Sequence, residues 1–218
     1  SWYDYNGVSV FSSMAYESVA NLQKDFGLYG NKINSCTYNP QTPLYNSVFS
    51  IKYIYDRKNL ISGNDYYNSV GSNATYNVYE NPYNLSIAFP VSDEIINWDT
   101  EIYSDPIETQ NEFFRCATGI ENLYEREYNY EFSYNNVYSL DNDSKIIGNF
   151  SVMRINEGVD ASLTASITAS KGGHIYIYIS SRQLDDVDVS SEVIETSMDV
   201  SDGYIMDLGY YNEGEIVS

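Results

Sequence analysis

A chain of 218 residues that is 43% hydrophobic is long enough to bury one large core or two small ones. Its 31 acidic side chains against 11 basic ones leave a formal charge of −20. That negative potential disfavours nucleic acid, and it disfavours a basic grip on an anionic bilayer or a phosphate-rich polymer. No run approaches the roughly 18 apolar residues of a membrane-spanning helix, and nothing resembles a signal peptide.

In chain order, Ser12 or Ser13 caps a predicted helix with Ala15, Val19, Leu22 and Phe26 on one face and Gly27 as its stop. A short second helix is predicted near Thr42-Pro43, because proline suits a first helical turn. Ile51 to Tyr55 reads as a strand, and Asp56 to Asn73 as a long loop or weak hairpin broken by Gly63 and Gly71. Thr75 to Tyr79 and Leu85 to Val91 read as two strands about the turn Asn81-Pro82-Tyr83. A helix follows from Pro106 or Ile107 through Thr118, with Phe113, Phe114 and Ala117 inward and Gly119 as its C-cap.

Beyond Gly119 the helical period disappears. Glu125–Tyr138, Lys145–Ile155, Ala161–Ala169, His174–Ser180, Val187–Ser190 and Tyr204–Leu208 are short alternating segments between Asn, Asp, Gly and Ser clusters. In HIYIYIS, Ile175, Ile177 and Ile179 face one way and His174, Tyr176 and Tyr178 the other. The predicted class is α+β, mostly β. An α+β portion over residues 1–120 precedes an antiparallel, jelly-roll-like β-sandwich over 121–218, as two portions or as one continuous domain.

Tyrosine is the compositional outlier, with 24 residues against 8 Phe and 2 Trp. Tyr and Asn together suit surfaces that meet sugars, but Tyr is also an ordinary strand residue, and its even spread favours that second reading. Cys36 and Cys116 form one bridge or remain two buried thiols. The single histidine, His174, limits any Ser-His-Asp or Cys-His arrangement to itself, and its place beside a turn predicts an exposed side chain. Asp141 and Asp143 alternate as in a calcium loop, but Lys145 takes the next ligand position, and no Gly or closing Glu follows at the required spacing. Asp186 and Asp188 share a strand face, which reads as a solvated edge before it reads as a calcium site. No cofactor and no metal is expected, and no carboxylate pair is singled out as catalytic.

Four motifs in order carry a resemblance: NGVSVFSSM (Asn6 to Met14), TPLYNSVFSIKYIYDR (Thr42 to Arg57), YENPYNLSIAFPV (Tyr79 to Val91) and PIETQNEFFRCATG (Pro106 to Gly119). Together they resemble the C-terminal extracytoplasmic region of the bacterial YfhO membrane proteins. HIYIYISSRQLDDVDVS keeps that family's strand without the Gly-Trp pair that often follows it. The family is similar to GT-C glycosyltransferases that use lipid-phosphate-linked sugars and act on lipoteichoic acid or related envelope polymers. The resemblance therefore implies a piece of a polytopic membrane protein, lying outside the bacterial cell membrane. The acidic catalytic residue of such an enzyme would lie in the membrane portion, so no residue here is expected to be catalytic. The implied role is to position an acceptor glycan, or a partner such as the membrane portion of the same protein; a purely structural role is the alternative. For a ligand, the candidate residues are Tyr79, Asn81 and Tyr83 in the turn and Gln110 and Asn111 in the helix. Each has a structural reading too: Asn81 shapes the turn, and Gln110 and Asn111 satisfy backbone groups.

Overall fold

The computed structural model describes residues 7–31, 33–57, 61, 65–100, 105–140 and 151–218. The first half opens with β1 (Val10–Phe11), α1 (Glu17–Asp25), β2 (Tyr29–Gly30) and β3 (Ser35–Thr37), the strands forming an antiparallel sheet in the order β1-β3-β2. α1 starts later than the serine cap predicts. Ser12 instead closes a tight turn, its carbonyl accepting from the Ala15 amide and its hydroxyl from the Met14 amide. The buried face is then Ala20 and Gln23, with Phe26 just beyond, while Val19 turns to solvent. Gln23 is tolerated inside because the Tyr45 hydroxyl donates to its Oε1.

α2 (Pro43–Val48) begins as the sequence predicts, with Pro43 in the first turn and the Thr42 hydroxyl accepting from the Tyr45 amide at 3.2 Å. β4 (Tyr53–Asp56), β5 (Asn68–Ser72) and β6 (Asn77–Glu80) form a second antiparallel sheet in the order β4-β6-β5. Leu85 to Val91 is not a strand. Its ends are fixed to helical segments, Leu85 N donating to Ser47 O and Ser92 N to Ala117 O, so the stretch lies along helix ends rather than beside a ladder. Pro90 also lacks the amide a ladder would use. Ile87, the apolar residue at the centre of the alternation, is 97% exposed.

A 3-10 turn at Asp93–Asn97 leads to α3 (Pro106–Thr118), where the Asp105 carboxylate accepts from the Ile107 amide at 2.8 Å. Gly119 ends the helix at φ 75, as expected of a left-handed C-cap. Phe113 packs edge-on against Phe26 and Trp98, Ala117 is buried, and Phe114 is half-buried. Phe26, Leu28, Cys36 and Tyr45 form the first core cluster, and Ile54, Ile61, Tyr67 and Tyr79 the second.

The second half contains β7 (Tyr130–Asn135), β8 (Val137–Ser139), β9 (Val152–Arg154), β10 (Ser162–Thr168), β11 (Gly173–Ile179), β12 (Asp186–Ser190), β13 (Glu195–Asp199), β14 (Tyr204–Tyr211) and β15 (Ile216–Val217). All pair antiparallel, as β15-β10-β7, β11-β14, β12-β13 and β8-β9. Ala169, Val189, Met198, Val200, Met206, Leu208 and Val217 lie on or just beyond strands of three of these sheets and pack together with Ile175, Ile177 and Ile179. The class is thus α+β and mostly β, 35% strand against 18% helix.

Where the turn after α1 meets β14, the backbones touch directly. Ile205 N donates to Gly27 O at 2.9 Å, and Gln41 Nε2 donates to Ile205 O at 3.2 Å. Gly27 sits at φ +90, and a Cβ there would lie 2.5 Å from the Ile205 side chain, so glycine alone permits the approach.

Candidate functional site

The β11-β14 pair carries an irregularity that aims its chemistry. His174 faces Tyr210 and Tyr176 faces Asp207, so Leu208 and Gly209 oppose Ile175 alone. Two residues against one is a β-bulge, and it needs glycine at its turn. Gly209 adopts φ +96, and a Cβ there would lie 2.7 Å from Val193 Cγ1. The bulge brings Asp207 Oδ1 within reach of its own chain, where it accepts from the Gly209 amide at 2.9 Å. The same oxygen accepts from His174 Nδ1 at 3.1 Å.

His174 is therefore not the exposed residue that its position beside a turn predicts: its side chain is 5% exposed. Burial is sustained because Asp207 takes one ring nitrogen and aromatic rings cover the rest. Tyr66 lies 5.1 Å from the imidazole, Tyr210 meets it edge-on at 5.8 Å, and Tyr176 stacks beside it at 6.1 Å and 22°. Tyr124 in turn closes edge-on against Tyr176. Two buried atoms in this cluster, Nε2 of His174 and Oη of Tyr176, have no hydrogen-bond partner among the described residues. Each such atom costs about 1–3 kcal/mol relative to a satisfied one.

The outer side of the cluster is open: Tyr66 is 41% exposed and Tyr210 43%. β5 pairs Asn68 with Glu80, so Tyr66, just before β5, leaves the ladder alongside Asn81 and Tyr83, just after β6. Tyr83 is 62% exposed. The field there is negative. The Tyr66 hydroxyl is pushed up by burial first and then by Asp207, Asp65, Tyr210 and Tyr83. Burial followed by Asp207 raises Tyr176 in the same way. Lys171, the nearest cation in sequence to His174, pairs with Glu125 instead.

The five residues that the sequence nominates are not gathered on one surface. Tyr79 is buried in the second core cluster. Asn81 is also buried; its Nδ2 donates to Ile51 O at 3.0 Å and its Oδ1 accepts from the Tyr83 amide at 3.0 Å, which sets the turn. Gln110 is wholly buried, donating to Phe26 O and accepting from the Thr42 hydroxyl, both at 2.7 Å. Asn111 clamps both backbone groups of Tyr124, at 2.8 and 3.0 Å. Tyr83 alone presents its side chain outward, and it does so next to Tyr66. The sequence reading missed Tyr66, Tyr210 and Asp207. One signal was present: Tyr-Tyr-Asn occurs at 66–68 and again at 210–212, and the first tyrosine of each flanks His174.

Among models of protein families, the one described as bacterial membrane protein YfhO matches residues 2–218. The chain belongs to the YfhO family. The match runs through the β-rich second half as well as through the four motifs of the first, so the tyrosine cluster lies wholly within the YfhO-like region. No curated protein and no solved structure matches this YfhO-family chain. Among its described residues no helix is long and apolar enough to cross a membrane.

Elsewhere in this YfhO-family chain, Gln41 Oε1 is a further buried atom without a hydrogen-bond partner among the described residues. Cys36 and Cys116 are two buried thiols, and burial raises Cys116. Asp186 and Asp188 are exposed on one face of β12, and no group of three or more metal-ligating side chains occurs among the described residues. Asp141, Asp143 and Lys145 lie outside the described residues. A cavity of about 340 Å³ is lined by Glu192, Val193, Tyr211, Gly214, Glu215 and Ile216. Its Glu215 carboxylate is spent on the Asn212 amide at 2.7 Å and the Asn212 side chain at 3.0 Å, closing the turn before β15.

Proposed function

We propose that this chain is a non-catalytic outer domain of a bacterial envelope glycosyltransferase, on the extracytoplasmic side of the membrane, and that it positions an acceptor polymer over an active site elsewhere in the protein. The observation that carries the reading is the family match over residues 2–218, which ties the whole fold to a bacterial membrane protein. The exposed tyrosines support it, because flat phenol faces suit sugar rings. The charge of −20 directs contact to neutral sugar faces rather than to a phosphate backbone. An acceptor such as lipoteichoic acid would be gripped through its sugars.

The test is deletion of residues 2–218 from the full-length protein. Glycosylation of the envelope polymer should fall while the membrane portion persists, and the isolated 218-residue chain should turn over no sugar donor. Unchanged glycosylation would sink the proposal.

A second reading, a structural domain for assembly of the membrane protein, is favoured by one observation. Asn81, Gln110 and Asn111 each commit side-chain polar groups to backbone groups of the chain itself. On that reading, deletion lowers the amount of full-length protein itself, and binding of teichoic-acid fragments by calorimetry is absent.

A further inference from the structure

The tyrosine surface rests on two buried polar atoms, Nε2 of His174 and Oη of Tyr176, without a partner among the described residues. A core selected for stability alone replaces or satisfies such groups, so their retention calls for a ligand or a solvent molecule to meet them. Nδ1 of His174 is already spent on Asp207. That leaves Nε2, and a sugar hydroxyl can meet it as donor or as acceptor.

We propose that the exposed tyrosines Tyr66, Tyr83 and Tyr210 form an aromatic wall for one neutral pyranose ring, and that Nε2 of His174, oriented by Asp207, shares a hydrogen bond with a hydroxyl of that ring reaching in beside Tyr66. This rests on the acceptor-positioning reading and gives it a surface. Three features select the ligand class. The three rings are 41%, 62% and 43% exposed, which leaves aromatic surface for the apolar C–H face of a sugar. Asp207 and Asp65 act on the Tyr66 hydroxyl through their negative charge, which repels anions. Lys171, the nearest described cation in sequence to His174, pairs with Glu125.

The single histidine makes the test clean, because one imidazole signal reports on the site. The 218-residue chain, labelled with nitrogen-15, is titrated in turn with the methyl glycosides of glucose, galactose and N-acetylglucosamine, with inorganic phosphate and with tetramethylammonium chloride. At least one glycoside should move the His174 ring resonances saturably in the millimolar range, and phosphate should not. Tyr66→Ala and Tyr210→Ala should each weaken that binding by about ten-fold, and Tyr66→Phe by no more than about two-fold. Unchanged far-ultraviolet dichroism confirms that the variants fold. Absence of saturation by all three glycosides up to about 100 mM would overturn the assignment. So would binding that survives both alanine variants, or saturation by tetramethylammonium alone. A failed titration alongside lost glycosylation on deletion removes this surface but keeps the positioning role; saturable sugar binding alongside unchanged glycosylation does the reverse.

Discussion

The stretches Leu85–Val91 and His174–Ile179 share a two-residue alternation and sit in opposite environments. In β11 the isoleucines pack into the second-half core while His174 and Tyr176 meet Tyr66, Tyr124 and Tyr210, so both faces are covered. In the first stretch Ile87 stands in solvent, and the backbone is tied to the helices through its ends. The difference is a neighbour. β14 offers an antiparallel ladder, shifted once by the bulge, to β11, whereas Leu85–Val91 runs between the end of α2 and the end of α3. Alternation thus describes what a strand would bury, and the surrounding chain decides whether a strand exists.

This contrast is broken most severely at the base of β11. Asp207→Ala removes the acceptor for both His174 Nδ1 and the Gly209 amide, leaving buried donors unpaired. It should cost about 2–4 kcal/mol in denaturant unfolding, and the His174 ring signals should shift with it. A paired substitution measures the contrast itself. Ile177→Ala should cost about 2 kcal/mol, because that side chain packs on the core, while Ile87→Ser should change stability by no more than about 0.5 kcal/mol. Equal costs for the two would contradict the different environments.

The smallest expected effect is in pH. The Asp199 carboxyl is held below the usual range by the Ser201 hydroxyl first, then the Ser201 amide, with the Tyr29 hydroxyl also donating. A carboxyl depressed on folding stabilises above its unfolded value of about 3.9, and that contribution is lost as pH falls through the depressed folded value. The stability difference between the native chain and Asp199→Asn should therefore shrink as unfolding is measured at progressively lower pH in the acid range. A difference independent of pH would contradict it.

Much of the first half was legible because its signals are local. Pro43 after Thr42, and Asp105-Pro106 with Gly119, mark helix ends by backbone chemistry that tertiary context left intact. The second half's class was legible from spaced alternating runs. β13 escaped because Glu195 to Asp199 is polar except for Met198, which is completely buried. The tyrosine cluster escaped for a different reason. Tyr66, His174 and Tyr210 are brought together by a bulge and by two sheets meeting, and no spacing along one segment encodes that. Turn chemistry led to Tyr83 and to Asn81 alike, but the Asn81 side chain closes the turn while the Tyr83 ring points out.

The direct measurement uses the full-length membrane protein carrying Tyr66→Ala, Tyr83→Ala and Tyr210→Ala together, with the sugar content of the envelope polymer read beside the amount of protein in the membrane. The account predicts a fall in polymer glycosylation at an unchanged protein level. Unaltered glycosylation at that same protein level would contradict it.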